Sequence, residues 1–222
     1  MPARLFLVEQ PWVDWSWLAT HVPYVLAAVQ EHVQLTVIAV IAGLAISLLL
    51  GVLAHTWRVL RFPVLAIFGI FYTIPSIAMF ALLIPITGLS GTSAEIPLIG
   101  YNVLVLVRNV IVGLDSVPAD VLDAADGMGY RRFARLLRVE LPLALPAILA
   151  GLRVATVSTI GIVTIAAVIG IGGLGQLILR GLIQDFYTPL VVATVLCIVL
   201  ALFADLLLAG AQRLVVPWAR TA

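Results

Sequence analysis

The charged side chains of this sequence, which could bind a partner or take part in a reaction, are most concentrated between residues 115 and 145. Of the 222 residues, 63% are apolar and only 10% carry a charge. The stretch DAADGMGYRRFARLLRVELPLALP, residues 123–146, is the most charged and amphipathic part of an otherwise apolar chain. Since long apolar runs enclose it, we expect it to be a surface presented to another molecule.

Residue types that catalyse reactions or hold metals are few, and their spacing is unsuitable for either role. His21, His32 and His55 are scattered, with no spacing typical of a metal site. The single cysteine, Cys197, lies in an apolar run, which excludes disulfides and thiolate metal sites. The sequence also lacks the Gly-x-x-x-x-Gly-Lys-Ser/Thr phosphate loop of ATPases. We therefore expect no catalytic residue, no metal, no cofactor and no enzymatic activity.

Three charged residues lie inside apolar runs, where a charge is costly and usually faces the interior of a helix bundle. Arg153 lies near one end of its run, and we expect its head group to reach the water beyond. Arg108 is deeper. Asp115 lies seven residues on, on the same helical face, and Asp205 lies in another run. We expect Arg108 to form a structural ion pair or a gate with one of these acids rather than to contact a solute.

A proline and several hydroxyl groups occur together in the apolar run around residue 75. A proline in mid-run interrupts the helix hydrogen bonds and bends the helix. This bend is either a packing feature or part of a pore-lining helix, in which the ring of Tyr72 could offer its face to a passing cation. Glycines near residue 172 predict a re-entrant turn by an outer gate, or a plain turn. The candidate pathway or gate residues are Tyr72, Thr73, Pro75, Ser76, Arg108, Asn109, Gly172, Gly173 and Gly175.

The apolar runs that hold these residues predict an all-α, polytopic membrane protein. Mean hydropathy is +1.20, and the runs are continuous, whereas a membrane barrel would show period-two alternation. About 20 apolar residues are needed to cross the hydrocarbon of a bilayer. Five transmembrane helices are predicted, at about 33–54, 63–86, 97–114, 146–169 and 189–211.

The residues before the first predicted span form a Trp-rich segment. We expect residues 1–32 to lie outside the cell in the membrane interface, although part of this segment could instead form a sixth, weak span. Residues 33–222 then form the transmembrane domain, with a cytoplasmic loop at about 115–145.

The arginines orient the bundle, since all twelve basic residues are arginine and they are unevenly distributed. Arginines follow the first and third predicted spans and occur at the C-terminus, whereas loop 87–97 has none and loop 170–188 has one. Because cytoplasmic loops carry the excess of basic residues, the sequence predicts the N-terminus outside and the C-terminus inside (N-out/C-in).

Two short helices around a glycine elbow are predicted within the cytoplasmic loop. Ser116 can cap the first helix, and Gly127 and Gly129 then end it. The second helix, in YRRFARLLRVELP, is amphipathic, with its leucines on one face and arginines around them. Pro142 and Pro146 are expected to break the chain again before the fourth span.

The spacing within this loop resembles the signature loop of ABC-importer permeases. The family pattern is Glu-Ala-Ala, three residues, Gly, nine residues, Ile, one residue, Leu-Pro. Here the spacing is kept, with Asp in place of Glu and Val in place of Ile. The matching residues are Asp123, Ala124, Ala125, Gly129, Val139, Leu141 and Pro142. The resemblance implies that these residues couple the chain to a separate cytoplasmic ABC ATPase.

Stretches between residues 72 and 182 are similar to the osmoprotectant branch of these permeases, which imports glycine betaine, choline, carnitine or proline betaine. This resemblance implies a transport subunit of the bacterial cytoplasmic membrane that pairs with a second permease, either a copy of itself or a paralogue. It also implies an extracytoplasmic substrate-binding protein and a lipid environment, with no nucleic acid as partner. ATP-driven closure of the ATPases would pull the two loops together and rock the spans between inward and outward states.

Two alternatives stay open at this point. The same architecture could import methionine or another amino acid, because the GGLG stretch at residues 172–175 also resembles methionine-type permeases. A non-transporting membrane scaffold is the more remote alternative, since it leaves the spacing of the signature loop unexplained.

Overall fold

A computed structural model of the protein describes residues 11–220, with side chains up to residue 218, and this part of the chain is helical without any β-strand. The all-α prediction is thus confirmed. The helices are α1 Trp15–Thr56, α2 Arg61–Thr73, α3 Ser76–Thr87, α4 Gly91–Asp115, α5 Ala119–Gly127, α6 Arg132–Arg135, α7 Leu141–Ile165, α8 Leu174–Ile183 and α9 Tyr187–Val215. Short 3-10 turns and one π turn, Leu136–Glu140, join some of them.

Four continuous helical runs are long and apolar enough to cross a membrane, and a bent helix pair supplies a fifth crossing. The continuous runs are α1, α4, Arg132–Ile169 and α9. The bent pair consists of Arg58–Thr73 and Ser76–Thr87, which meet at 97°. These five segments coincide with the five predicted spans. The N-out/C-in orientation stays a prediction.

Helix α1 is longer than the predicted first span, because residues 15–32 continue it as one 42-residue helix. Asp14 caps the helix by accepting hydrogen bonds from the backbone N–H groups of Ser16 and Trp17. Val25 and Ala28 are buried against α8 and α9, so the first turns of α1 belong to the bundle. The assignment of residues 1–32 to the outer interface stays a prediction, and residues 1–10 lie outside the described part.

The break between α2 and α3 confirms the interruption predicted at Pro75. Ile74 and Pro75 both have extended backbone conformations, as expected for a residue before proline and for a proline that cannot continue the hydrogen bonds of the helix. The hydroxyl of Tyr101 on α4 donates a hydrogen bond to the freed carbonyl oxygen of Ile74, at 2.6 Å. Span two is therefore two half-helices held at their junction by α4.

Helix α4 is the centre of the bundle, and α1 and α7 pack closely against it because small residues face it. A Cβ atom at Gly51 of α1 would lie 2.5 Å from the side chain of Val110, and one at Gly151 of α7 would lie 2.5 Å from that of Asn109. Small residues at such crossings allow membrane helices to approach closely. Helix α9 lies at the periphery, with most of its apolar side chains facing outward.

Candidate functional site

The first helix of the predicted coupling segment ends at a glycine turn, as predicted. Helix α5 stops at Gly127, and Gly129 has a φ of +83°, a conformation that side chains with a Cβ rarely adopt. The N–H of Tyr130 then donates back to the carbonyl oxygen of Ala125 at 3.1 Å, which closes the turn. The predicted cap is wrong, because the Ser116 hydroxyl donates to the Gly113 carbonyl and α5 begins after Pro118 without a side-chain cap.

The second half of the segment differs from prediction, because Pro142 and Pro146 do not break the chain. Residues Arg132–Ile169 form one helical run that enters the fourth span directly. The π turn Leu136–Glu140 precedes Pro142, and the N–H of Leu141 bonds to the carbonyl oxygen of Leu136. Such a wide turn re-satisfies the backbone where a proline removes a donor. The amphipathic helix is thus continuous with the span.

The residues of the signature pattern do not all face outward. Asp123, Ala124 and Gly129 are exposed, whereas Ala125 is buried at 1% exposure, and Val139, Leu141 and Pro142 are half-buried. Ala124 is consequently the alanine that is available to a partner, while Ala125 packs inside the chain. Met128 and Phe133 are each 71% exposed and lie on either side of the glycine turn. Large exposed apolar side chains beside such a motif are typical of an interaction surface.

A chain of ion pairs fixes the coupling segment. Arg135 of α6 pairs with Asp126 of α5, and its Nε donates to Oε1 of Glu140 at 2.9 Å. Glu140 lies in the π turn and is only 5% exposed, so its charge requires these partners. The two halves of the segment are thereby tied together across the glycine turn.

The chain of ion pairs continues into three spans through His55, the penultimate residue of α1. Nε2 of His55 lies 3.4 Å from Oε2 of Glu140, and Nδ1 lies 2.9 Å from Oδ1 of Asp115 at the end of α4. Arg61 of α2 contacts the other oxygen of Asp115 at 2.5 Å. Sequence reasoning missed this network, although the charges at these span ends were the available signal.

The charged residues within the membrane do not pair as predicted. Arg153 forms a two-pronged ion pair with Asp205, with Nε–Oδ1 and Nη2–Oδ2 distances of 2.8 Å. Asp205 is therefore not the partner of Arg108, and the expectation that Arg153 reaches water stays a prediction. Asp115 is held by His55 and Arg61 instead. Among residues 11–218, the side chain of Arg108 has no ion-pair or hydrogen-bond partner, and the residue is exposed. The packing of α9 beside α7 decides the pair of Arg153, and the packing of α1 and α2 beside α4 decides the partners of Asp115. Sequence spacing predicts neither arrangement.

The remaining candidate pathway residues lie in separate places rather than in one site. Tyr72, Thr73 and Pro75 are exposed and Ser76 is half-buried at the break in span two, where the Tyr72 ring contacts that of Tyr101. Asn109 donates from Nδ2 to the Val105 carbonyl oxygen of its own helix.

The three candidate glycines are buried against α1 and α7. Gly172 and Gly173 lie in the turn before α8, and Gly175 lies in the first turn of α8. The N–H of Gly172 donates to Oε1 of Glu31 at 3.1 Å. A Cβ atom at Gly173 would lie 2.4 Å from the Ala28 carbonyl oxygen, and one at Gly175 would lie 2.3 Å from that of Thr164. Close packing accounts for these glycines, and their assignment to a gate stays a prediction.

Comparison with known proteins agrees with this architecture. Residues 43–220 match the family described as the inner membrane component of binding-protein-dependent transport systems. The osmoprotectant import permease protein OsmW of Salmonella typhimurium is 38% identical, over 87% of this chain and 93% of that protein. The choline transport system permease protein OpuBB of Bacillus subtilis is 35% identical, over 91% and 93% respectively. A solved inward-facing structure of the MetNI methionine ABC transporter has a chain that is 25% identical, with a TM-score of 0.76 and coverage of 86% of this chain and 96% of that one.

Proposed function

We propose that this chain is the permease subunit of an ATP-driven importer of osmoprotectants, because it belongs to the family of inner membrane components of binding-protein-dependent transport systems. As a member of this family it is a multi-pass transport subunit of a bacterial inner membrane and not an enzyme. Such a permease works with an ATPase, a second permease and a substrate-binding protein.

The proposed substrate class rests on one observation, which is that the relatives are all named as permeases for osmoprotectants or for choline and related solutes. OsmW, OpuBB and the glycine betaine/carnitine/choline permease OpuCB of Bacillus subtilis are 34–38% identical to this chain, over 87–91% of its length. Choline, glycine betaine and carnitine share a trimethylammonium group, and we propose that the solute of this chain carries one as well. The methionine transporter supports the same fold at lower identity, so an amino acid is the less favoured solute.

The coupling role is proposed for the exposed surface around the glycine turn. Asp123, Ala124 and Gly129 are exposed there, and Met128 and Phe133 add large apolar side chains. This surface would dock on the ATPase at the predicted cytoplasmic side. The helical run into the fourth span and the ion pairs through His55 would carry its displacement to the other spans.

Uptake by the host bacterium tests the solute class. We expect a strain that lacks this chain to lose uptake of at least one of labelled glycine betaine, choline and carnitine in high salt, and to recover it when the gene is restored. Labelled methionine uptake should be unaffected. Loss of methionine uptake together with normal uptake of all three trimethylammonium solutes would contradict the proposal and favour the amino-acid alternative.

A charge placed on the proposed docking surface tests the coupling role. Ala124→Glu puts a carboxylate on an exposed helical position and does not strain the glycine turn, so the variant should fold but fail to co-purify with the ATPase. Thr92→Glu is the matched control, because Thr92 is exposed near the start of α4, at the opposite end of that helix from the coupling segment. Equal recovery of the ATPase with both variants would contradict docking at this surface.

A further inference from the structure

We infer that the ion pair between Arg153 and Asp205 is a charged constriction on the path of the solute. A zwitterionic solute opens this constriction, because its carboxylate takes the place of Asp205 on Arg153 and its cationic group takes the place of Arg153 on Asp205. The inference rests on the proposed function and deepens it, since it names the residues that would distinguish a zwitterion from a simple cation.

The ion pair is partly exposed on an otherwise apolar face. Each of the two side chains is 34% exposed, although the guanidinium and the carboxylate are bonded to each other at two points. Val154, Leu202 and Leu206 around the pair are more than half exposed. A face of this kind resembles lipid-facing surface except at its charges.

The pair lies within the apolar runs of α7 and α9, where lipid tails are unfavourable surroundings for a charge. Asp205 lies ten residues before Val215, the end of α9, and a helix rises about 1.5 Å per residue, which places the carboxylate about 15 Å from that end. Partly exposed charges at this depth usually face a bundle interior or a water-filled cavity rather than hydrocarbon.

Two cavities, both open to the outside of the chain, meet at the ion pair. One of about 580 Å³ is lined by the pair together with Val157, Ser158 and Ala201. The other, of about 380 Å³, is lined by the pair together with Ala209 and Gln212.

Ala201, Asp205, Ala209 and Gln212 follow one another at intervals of three or four residues, so they form a stripe along one face of α9. A solute that moves along this stripe must pass the ion pair. Cavities of a few hundred Å³ are also the size that small-molecule sites require.

The chemistry of the pair matches a zwitterion that carries a carboxylate and a trimethylammonium group. The planar guanidinium of Arg153 binds a carboxylate at two points. A trimethylammonium group has no N–H, so Asp205 would hold it by charge alone. A zwitterion exchanges both partners and leaves neither charge unpaired, whereas a cation without a carboxylate leaves Arg153 without an anion. The site should therefore favour glycine betaine over choline.

The ratio of two uptake rates tests this inference. In cells that contain the whole transporter and binding proteins for both solutes, the maximal uptake rates of labelled glycine betaine and choline are measured for the wild type and for Arg153→Gln. We expect the betaine-to-choline ratio to fall at least about tenfold, because only betaine uses the guanidinium. The ratio does not depend on the amount of protein, so poor expression alone cannot produce the change.

A conservative variant and a matched control keep the test decisive. Arg153→Lys keeps the charge and loses the two-pronged geometry, so it should lower the ratio in the same direction even if Arg153→Gln folds poorly. Arg180→Gln should leave the ratio unchanged, because Arg180 is an exposed arginine bonded to Tyr24, away from both cavities.

The experiment distinguishes failure of the inference from failure of the proposed function. If the wild type transports both solutes and Arg153→Lys lowers both rates equally, the pair only stabilises the contact between α7 and α9, and the inference is overturned. If the wild type transports none of glycine betaine, choline and carnitine, the proposed function fails and the inference fails with it.

Discussion

His55 is the residue at which the coupling segment and the membrane spans meet. Its two ring nitrogens face Glu140 and Asp115, and each of these carboxylates also has an arginine, Arg135 and Arg61 respectively. Removal of the imidazole would therefore leave neither acid without a cation. His55 differs from Arg135 in this respect. Loss of Arg135 would leave the buried carboxylate of Glu140 without its arginine, whereas loss of the imidazole would sever only the connection.

We expect His55→Phe to separate ATP hydrolysis from transport. The variant should fold and bind the ATPase, because the phenyl ring fits the same space and both carboxylates keep an arginine. Displacement of the coupling segment would no longer pull directly on α1 and α4, so solute uptake per ATP hydrolysed should fall by about threefold or more. Uptake and phosphate release are measured together in proteoliposomes, with His21→Phe as the matched control. An unchanged uptake-to-hydrolysis ratio would show that the network only stabilises the fold.

Among the structural elements, Pro75 and Pro142 both predict an interruption of a helix, but the structure differs at the two positions. Pro75 divides span two, where the Tyr101 hydroxyl bonds to the freed Ile74 carbonyl. Pro142 lies inside a continuous helical run, because the preceding π turn supplies the backbone partner and Glu140 in that turn is held by Arg135. The outcome depends on a donor or a turn contributed by another part of the chain, so the proline alone predicts an interruption but not its form.

Tyr101→Phe should destabilise the junction of span two. Tyr101 is 5% exposed, and the change removes the hydroxyl that satisfies the Ile74 carbonyl while it keeps the ring contacts with Phe71 and Tyr72. A buried group left without its partner costs about 1–3 kcal/mol, so the detergent-solubilised variant should unfold at a lower temperature.

The control for this prediction is Tyr72→Phe, which removes a hydroxyl from the same aromatic cluster at an exposed position. Thermal unfolding of both variants is measured by size-exclusion chromatography after heating. Equal unfolding temperatures for the two variants would mean that water, or a relaxed backbone, satisfies the Ile74 carbonyl without Tyr101.

For the whole molecule, hydropathy predicted the number of crossings, because the length of an apolar run is fixed by the thickness of the bilayer. It did not predict that residues 15–32 would continue α1. Their burial depends on α8 and α9, where Leu174 and Leu177 pack against Val25 and Ala28. The same limit applies to the candidate site. The glycine turn at Gly129 follows from local spacing, whereas the partners of Arg153 and His55 follow only from how the helices pack.

The predicted orientation is a property of the whole bundle, and cysteine labelling in intact cells tests it. In a Cys197→Ala background, Thr92→Cys places a thiol at an exposed position before the third span, and Arg131→Cys places one in the coupling segment beyond that span. Because arginines accumulate on the cytoplasmic side, a membrane-impermeant maleimide should label the cysteine at position 92 in intact cells and the cysteine at position 131 only after permeabilisation. The reverse pattern would place the coupling segment outside, where no cytoplasmic ATPase could reach it, and the proposed coupling surface would be wrong.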